Sequence, residues 1–206
     1  MKIAVVMAGY PRTYKICFTK FLENFIFEEN SSLDFFLHFY DSELNQDILE
    51  TYRPADWICE KEYYSGERYK NLSYENPEWG HIERYKYNVY SQFKNNLLAF
   101  SLIPEDTYDV VIKTRYDLLL NERFDFSKLD MNNFNVPFGE DYGGLNDRFC
   151  ISSYYNMKFY FNFFKKISSI NKNYVKFHPE SMLRDYFALS RKNVSRFNCD
   201  INNILR

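Results

Sequence analysis

The chain has 206 residues, 46% hydrophobic and 20% aromatic, enough apolar matter for one α/β domain and too much for a disordered polypeptide. Lysine and arginine number 26 against 28 aspartate and glutamate, so no overall field favours nucleic acid. The four cysteines, Cys17, Cys59, Cys150 and Cys199, stand far apart with no C-x-x-C pair, which argues against a zinc site or disulfide framework and fits reduced thiols in a cytoplasmic protein.

Residues 2–8, KIAVVMA, read as a buried parallel strand opening into Gly9-Tyr10-Pro11-Arg12-Thr13. The run is too short for a signal-peptide core or a membrane span, so no transmembrane segment is expected. Ile16, Phe18, Phe21, Leu22, Phe25 and Ile26 then recur at helical spacing over 14–28, and SLDFFLHFYD (32–41) is a second strand ending on Asp41. Strand, helix, strand is the unit of a parallel sheet with a crossover helix.

A short helix closed by Pro54 and a weaker strand near Trp57–Cys59 follow. Residues 63–80 are polar, aromatic and turn-rich, the pattern of an excursion over the sheet. A long helix is predicted over 81–103, ended by Pro104. Next comes the most strand-like stretch, YDVVIKTRYDLLL (108–120), with further short strands at 134–138 and 148–153. YYNMKFYFNFFKKI reads as one helix, and 178–189 as the last, with Pro179 in its first turn. The basic run at 163–176 is read as a solvated helix end. The whole, residues 1–206, is expected to be a single α/β domain with a mostly parallel sheet flanked by helices.

In open α/β sheets ligands bind where the strands end. On an extended strand Lys113, Arg115 and Asp117 share one face, where they pair with each other or with a ligand, because unpaired charge inside a sheet is costly. Asp147, after the Gly143-Gly144 turn, is placed as a general base at the rim or as the carboxylate of a turn. His178 stands before a helix, placed either to turn its imidazole toward a ligand or metal or to serve the fold, and Glu180 lies in the first turn, favoured there by the helix dipole.

IAVVMAGYPRT, FFLHFYD, YSQFKN, YDVVIKTRYDLLL, LNDRFCISS and HPESMLRDY, in that order, resemble small GT-A-type (Rossmann-like) glycosyltransferases of bacterial surface-polysaccharide clusters and large DNA viruses. The resemblance spans residue 3 to about residue 187 and weakens over 42–80. It implies transfer of a hexosyl or deoxyhexosyl unit from a nucleotide-diphosphate-sugar donor to a glycan or glycolipid hydroxyl. Ala8, Gly9, Tyr10, Arg12, Arg115, Tyr116 and Asp117 would bind the donor. The family's usual Asp-x-Asp reads Arg115-Tyr116-Asp117 here, so Mn²⁺ or Mg²⁺ would rest on Asp117 with His178. Asp147 would be the base, with Glu180 second. A catalytically inactive sugar-nucleotide or glycan-binding domain is the alternative, favoured by the missing first acid.

Overall fold

The computed structural model describes residues 1–62, 82–171, 178–201 and 203–204. The excursion expected at 63–80, His81, and residues 172–176 of the basic run lie outside them. The first third comprises β1 (Lys2–Gly9), α1 (Tyr14–Asn24), β2 (Phe25–Ile26), β3 (Ser32–Tyr40), α2 (Asn45–Tyr52) and β4 (Asp56–Glu60). Then come α3 (Ile82–Phe100), β5 (Val110–Thr114), β6 (Leu118–Leu119), β7 (Phe124–Asp125), β8 (Phe134–Pro137) and β9 (Cys150–Ser153). The last part holds α4 (Tyr154–Phe161), α5 (Phe163–Asn171), α6 (Pro179–Leu189), β10 (Val194–Phe197) and β11 (Asn203–Ile204).

Seven strands form the main sheet in the order β10-β8-β9-β5-β1-β3-β4. All neighbours run parallel except at β9, which is antiparallel to β5 and to β8. Helices flank the sheet, as the α/β reading requires. From β1 the chain moves outward to β3 and β4, then returns to β5 on the other side. The crevice between the carboxyl ends of β1 and β5 is thus a point of topological reversal, where such sheets bind ligands.

Period-two alternation divides the core. Ile3, Val5 and Met7 of β1 pack with Phe35, Leu37, Ile112 and Tyr14 on the α1–α2 side. Ala4 and Val6 pack with Phe36, Val111, Phe93 and Met157 on the α3–α4 side. Ile3, Val5 and Val6 are fully buried, each contributing roughly 1.5–3 kcal/mol by leaving water. Lys113 shares the parity of Val111, so its side chain leaves the sheet toward α3.

Several boundaries differ from the sequence reading. Helix α1 stops at Asn24 because Phe25 turns extended and stacks on Phe21 and Phe126, with ring centroids 4.9 and 4.4 Å apart. The helix expected through residue 167 is broken at Asn162 into α4 and α5. The strand read across 108–120 ends at Thr114, and Tyr116 and Asp117 occupy a turn. Alternation therefore orients Lys113 but does not extend to Asp117. Among the described residues no helix is long and apolar enough to cross a membrane.

Candidate active site

A cleft of about 850 Å³ opens at the β1–β5 crevice. Ala8 and Gly9 form part of its wall at the end of β1, where φ of +115° at Gly9 favours a residue without Cβ. The turn that follows is closed by the Arg12 N–H donating to the Tyr10 carbonyl at 2.9 Å. Tyr10 is 44% exposed, lies 4.9 Å from the Tyr40 ring, and carries the Arg12 guanidinium 5.7 Å from its centroid. An exposed aromatic face beside a cation suits a flat heterocycle next to phosphate.

The opposite wall is the end of β5. Arg115 grips Asp117 through two bonds, Nε to Oδ1 at 2.8 Å and Nη2 to Oδ2 at 3.0 Å. This is a bidentate pair of the stronger kind. Tyr116 between them is 1% exposed and donates its hydroxyl to the His38 carbonyl at 3.2 Å, which fixes the turn against β3. Lys113 is also 1% exposed and donates to the backbone carbonyl of Asp147. Burial lowers its pKa to about 8, with the Asp147 charge acting in the opposite direction. At neutral pH it is therefore an ammonium.

Charge is unevenly distributed around this cleft. Among the described residues Arg12, Arg84, Lys113 and Arg115 line it, against the carboxylates of Glu62 and Asp117. Helix α3 adds Gln92, Asn95 and Asn96 to the wall. Asn95 and Asn96 are 2% and 4% exposed; their amide nitrogens donate to Tyr40 Oη at 2.7 Å and to the Gln92 carbonyl at 2.8 Å. Their Oδ1 atoms are buried without a partner. Such acceptors are costly to leave unmet, and they lie beneath the cleft surface rather than on it.

Gln92 and Asn95 fall within the YSQFKN motif but received no role there, and Arg84 and Asn96 escaped the sequence reading, because a polar helix stripe looks like a solvated face. The usable signal was spacing: Arg84, Asn88, Ser91 or Gln92, and Asn95 recur every three or four residues along one face. A polar face on a helix whose other faces are apolar points at solvent or at a ligand, and here it lines the cleft.

Asp147, Glu180 and His178 form a separate group. Asp147 is 4% exposed and accepts from Gln92 Nε2 at 2.5 Å. It stands behind the cleft-lining Gln92 and Lys113 rather than on the wall itself, a placement that suits a group setting those two side chains better than a base touching substrate. Gly144 explains how the loop docks: a Cβ there would lie 2.1 Å from the backbone carbon and oxygen of Glu180. The Leu145 N–H donates to that Glu180 carbonyl at 3.0 Å. Loop and α6 start thus touch backbone to backbone.

Glu180 is 7% exposed, with Oε2 lacking a hydrogen-bond partner. Burial, then the charge of Asp147, raises its pKa to about 8. This upward shift favours its neutral form, which runs against the second-base role. His178 caps α6 in an extended conformation, with Nδ1 3.3 Å from Glu180 Oε2 and 3.3 Å from Ser181 Oγ. The 3.3 Å approach to Oε2 lacks hydrogen-bond geometry and is a charge–dipole contact only.

The expected metal pair is not assembled. Asp117 lines the cleft and His178 is not among its lining residues. Both oxygens of Asp117 already accept from one guanidinium, so an ion there would share the carboxylate with a fixed cation and meet its repulsion. Among the described residues no group of three or more His, Cys, Asp or Glu side chains is placed to hold a metal. The donor set at Asp117 does not fit Mn²⁺ or Mg²⁺, which seek several oxygen ligands free of competing cations.

Comparison with known proteins supports the fold independently. The chain matches the apo crystal structure of mouse xyloside xylosyltransferase 1 with a TM-score of 0.54 and 8% identity, over 97% of this chain and 86% of that one. The architecture is a glycosyltransferase-like α/β fold. Residues 100–198 match the model of a domain of unknown function (DUF7796). No curated protein matches the chain.

Proposed function

We propose that the chain is a glycosyltransferase that binds a nucleotide-diphosphate-sugar donor in the β1–β5 cleft and transfers the sugar to a hydroxyl of a glycan or glycolipid acceptor. The observation that carries this reading is the cationic surplus of that cleft, four basic side chains against two carboxylates among the described residues, at a topological reversal point. Ala8, Gly9, Tyr10 and Arg12 would hold the nucleoside and its proximal phosphate, and Arg115, Tyr116 and Asp117 the diphosphate wall. Gln92, Asn95 and Asn96 would form the polar helix wall of the same cleft.

In the reaction the bond between the anomeric carbon and the diphosphate oxygen breaks, and its electron pair leaves with the diphosphate. A new bond forms from the acceptor oxygen to the anomeric carbon, and the acceptor proton is released. Fixed positive charge at the departing oxygens stabilises this transition state. Asp147 serves by holding Gln92 and Lys113.

Incubation with a panel of sugar nucleotides and oligosaccharide acceptors, read by mass spectrometry for the lengthened glycan, tests the reading. Transfer from one donor class supports it. Binding of a sugar nucleotide without turnover, with every acceptor class exhausted, leaves the inactive binding domain. That second reading is favoured by one observation, the commitment of Asp117 to Arg115.

A further inference from the structure

The end of β5 places two cations where a metal would otherwise be expected. Lys113 uses one of its three N–H donors on the Asp147 carbonyl, and Arg115 uses two of its five on Asp117. Both residues line the cleft; the Arg115 side chain, 30% exposed, has ligand-sized space beside its remaining donors, while Lys113, 1% exposed, places its charge just behind that wall. Two unit charges on fixed groups equal the charge of one divalent ion. They also bring directional hydrogen bonds, which phosphate oxygens accept well from a guanidinium fork. The fork is not free to wander, because Asp117 holds one edge of it in plane.

We propose that Lys113 and Arg115 replace the divalent cation on the donor diphosphate, and that Asp117 is a brace that aims Arg115 rather than a metal ligand. The inference rests on the sugar-nucleotide reading above. In the transfer step the carbon–oxygen bond to the diphosphate breaks heterolytically, and the electron pair stays on the phosphate oxygen. The charge that appears there meets Lys113 and Arg115. The acceptor oxygen forms the new carbon–oxygen bond and its proton passes to solvent. No oxidant or further reactant enters the balance.

Isothermal titration of the full chain with UDP, GDP and inorganic pyrophosphate, in excess EDTA and again with Mn²⁺, tests this. At least one of these ligands is expected to bind in EDTA, with affinity changing less than about threefold on adding Mn²⁺. Lys113→Met and Arg115→Met should each weaken that binding about tenfold or more. Asp117→Asn should bind pyrophosphate at least as tightly as the parent, since a negative charge leaves the cleft while the amide oxygen still accepts from Arg115.

Binding that occurs only with Mn²⁺ and disappears in Asp117→Asn would overturn the assignment while leaving the sugar-nucleotide reading intact. Absence of binding for every nucleoside diphosphate, with and without metal, would overturn both. The metal titration uses the parent protein, so the outcome does not depend on whether a variant at buried Lys113 folds.

Discussion

Two charged clusters lie at the same edge of the sheet, and they are built for different work. The end of β5 carries Lys113, Arg115 and Asp117 on the wall of an open cleft, with cations in excess. The loop before β9 and the start of α6 bring Asp147 and Glu180 together, both buried and close enough for their charges to act on each other. The first cluster keeps hydrogen-bond donors for a ligand. The second spends its contacts on joining loop to helix and on setting Gln92 and Lys113. Charge at a strand end therefore marks a ligand wall only where the residues border a cavity, as Lys113, Arg115 and Asp117 do and Asp147 and Glu180 do not.

The closed cluster can be broken at its backbone contact. Gly144→Ala would drive a Cβ into the Glu180 backbone, and neither side is a flexible side chain that can yield. We expect about 3 kcal/mol or more of destabilisation, which for a chain of this length lowers Tm by roughly 6–12 °C. Differential scanning calorimetry checks it; an unchanged Tm would show that loop and helix are not docked this way.

The same cluster has a pH signature. The folded pKa of Glu180 is raised to about 8, above an ordinary glutamate near 4.3. Its contribution to stability is therefore fully present below about pH 4.3 and is lost as pH rises through about 8. Glu180→Gln should flatten the stability profile between those limits and be the more stable form above pH 8, by on the order of a few kcal/mol. Urea unfolding across the range measures this, and parallel profiles for the two proteins would refute the buried-acid assignment.

A smaller effect links the two clusters. Lys113 is an ammonium only below about pH 8, so nucleoside diphosphate affinity should fall as pH rises through that value. Asp147→Asn removes the negative charge that supports the ammonium, and the fall should move to lower pH, with affinity near neutrality reduced a few-fold. Titration of UDP or GDP at several pH values reads the shift. An unmoved profile would separate Asp147 from the cleft.

How legible this was in the sequence depended on local pattern. The apolar runs of β1, β3 and β5 and the polar residues at their ends revealed the sheet centre and the Ala8–Arg12 and Arg115–Asp117 walls, because a buried parallel strand announces itself by unbroken hydrophobicity. β10 was not legible: Val194–Phe197 is short and only partly buried, and it is a strand because β8 pairs with it. The direction of β9 and the break at Asn162 are likewise tertiary facts. At the site, the Arg115–Asp117 pair was one of the options the spacing left open, and only geometry chose between pairing and ligand duty. The Gln92–Asp147 bond spans 55 residues, and no local motif encodes it.

The central claim is that the β1–β5 cleft is a sugar-nucleotide site whose diphosphate wall is Arg115. Thermal-shift measurement of the parent and Arg115→Met proteins against a panel of sugar nucleotides, with EDTA and with Mn²⁺, tests it most directly, because a ligand that binds only the native state raises its apparent stability. The account predicts a rise in Tm with one donor class, present in EDTA and lost in Arg115→Met. No shift with any donor in either buffer, or an equal shift in both proteins, would contradict it.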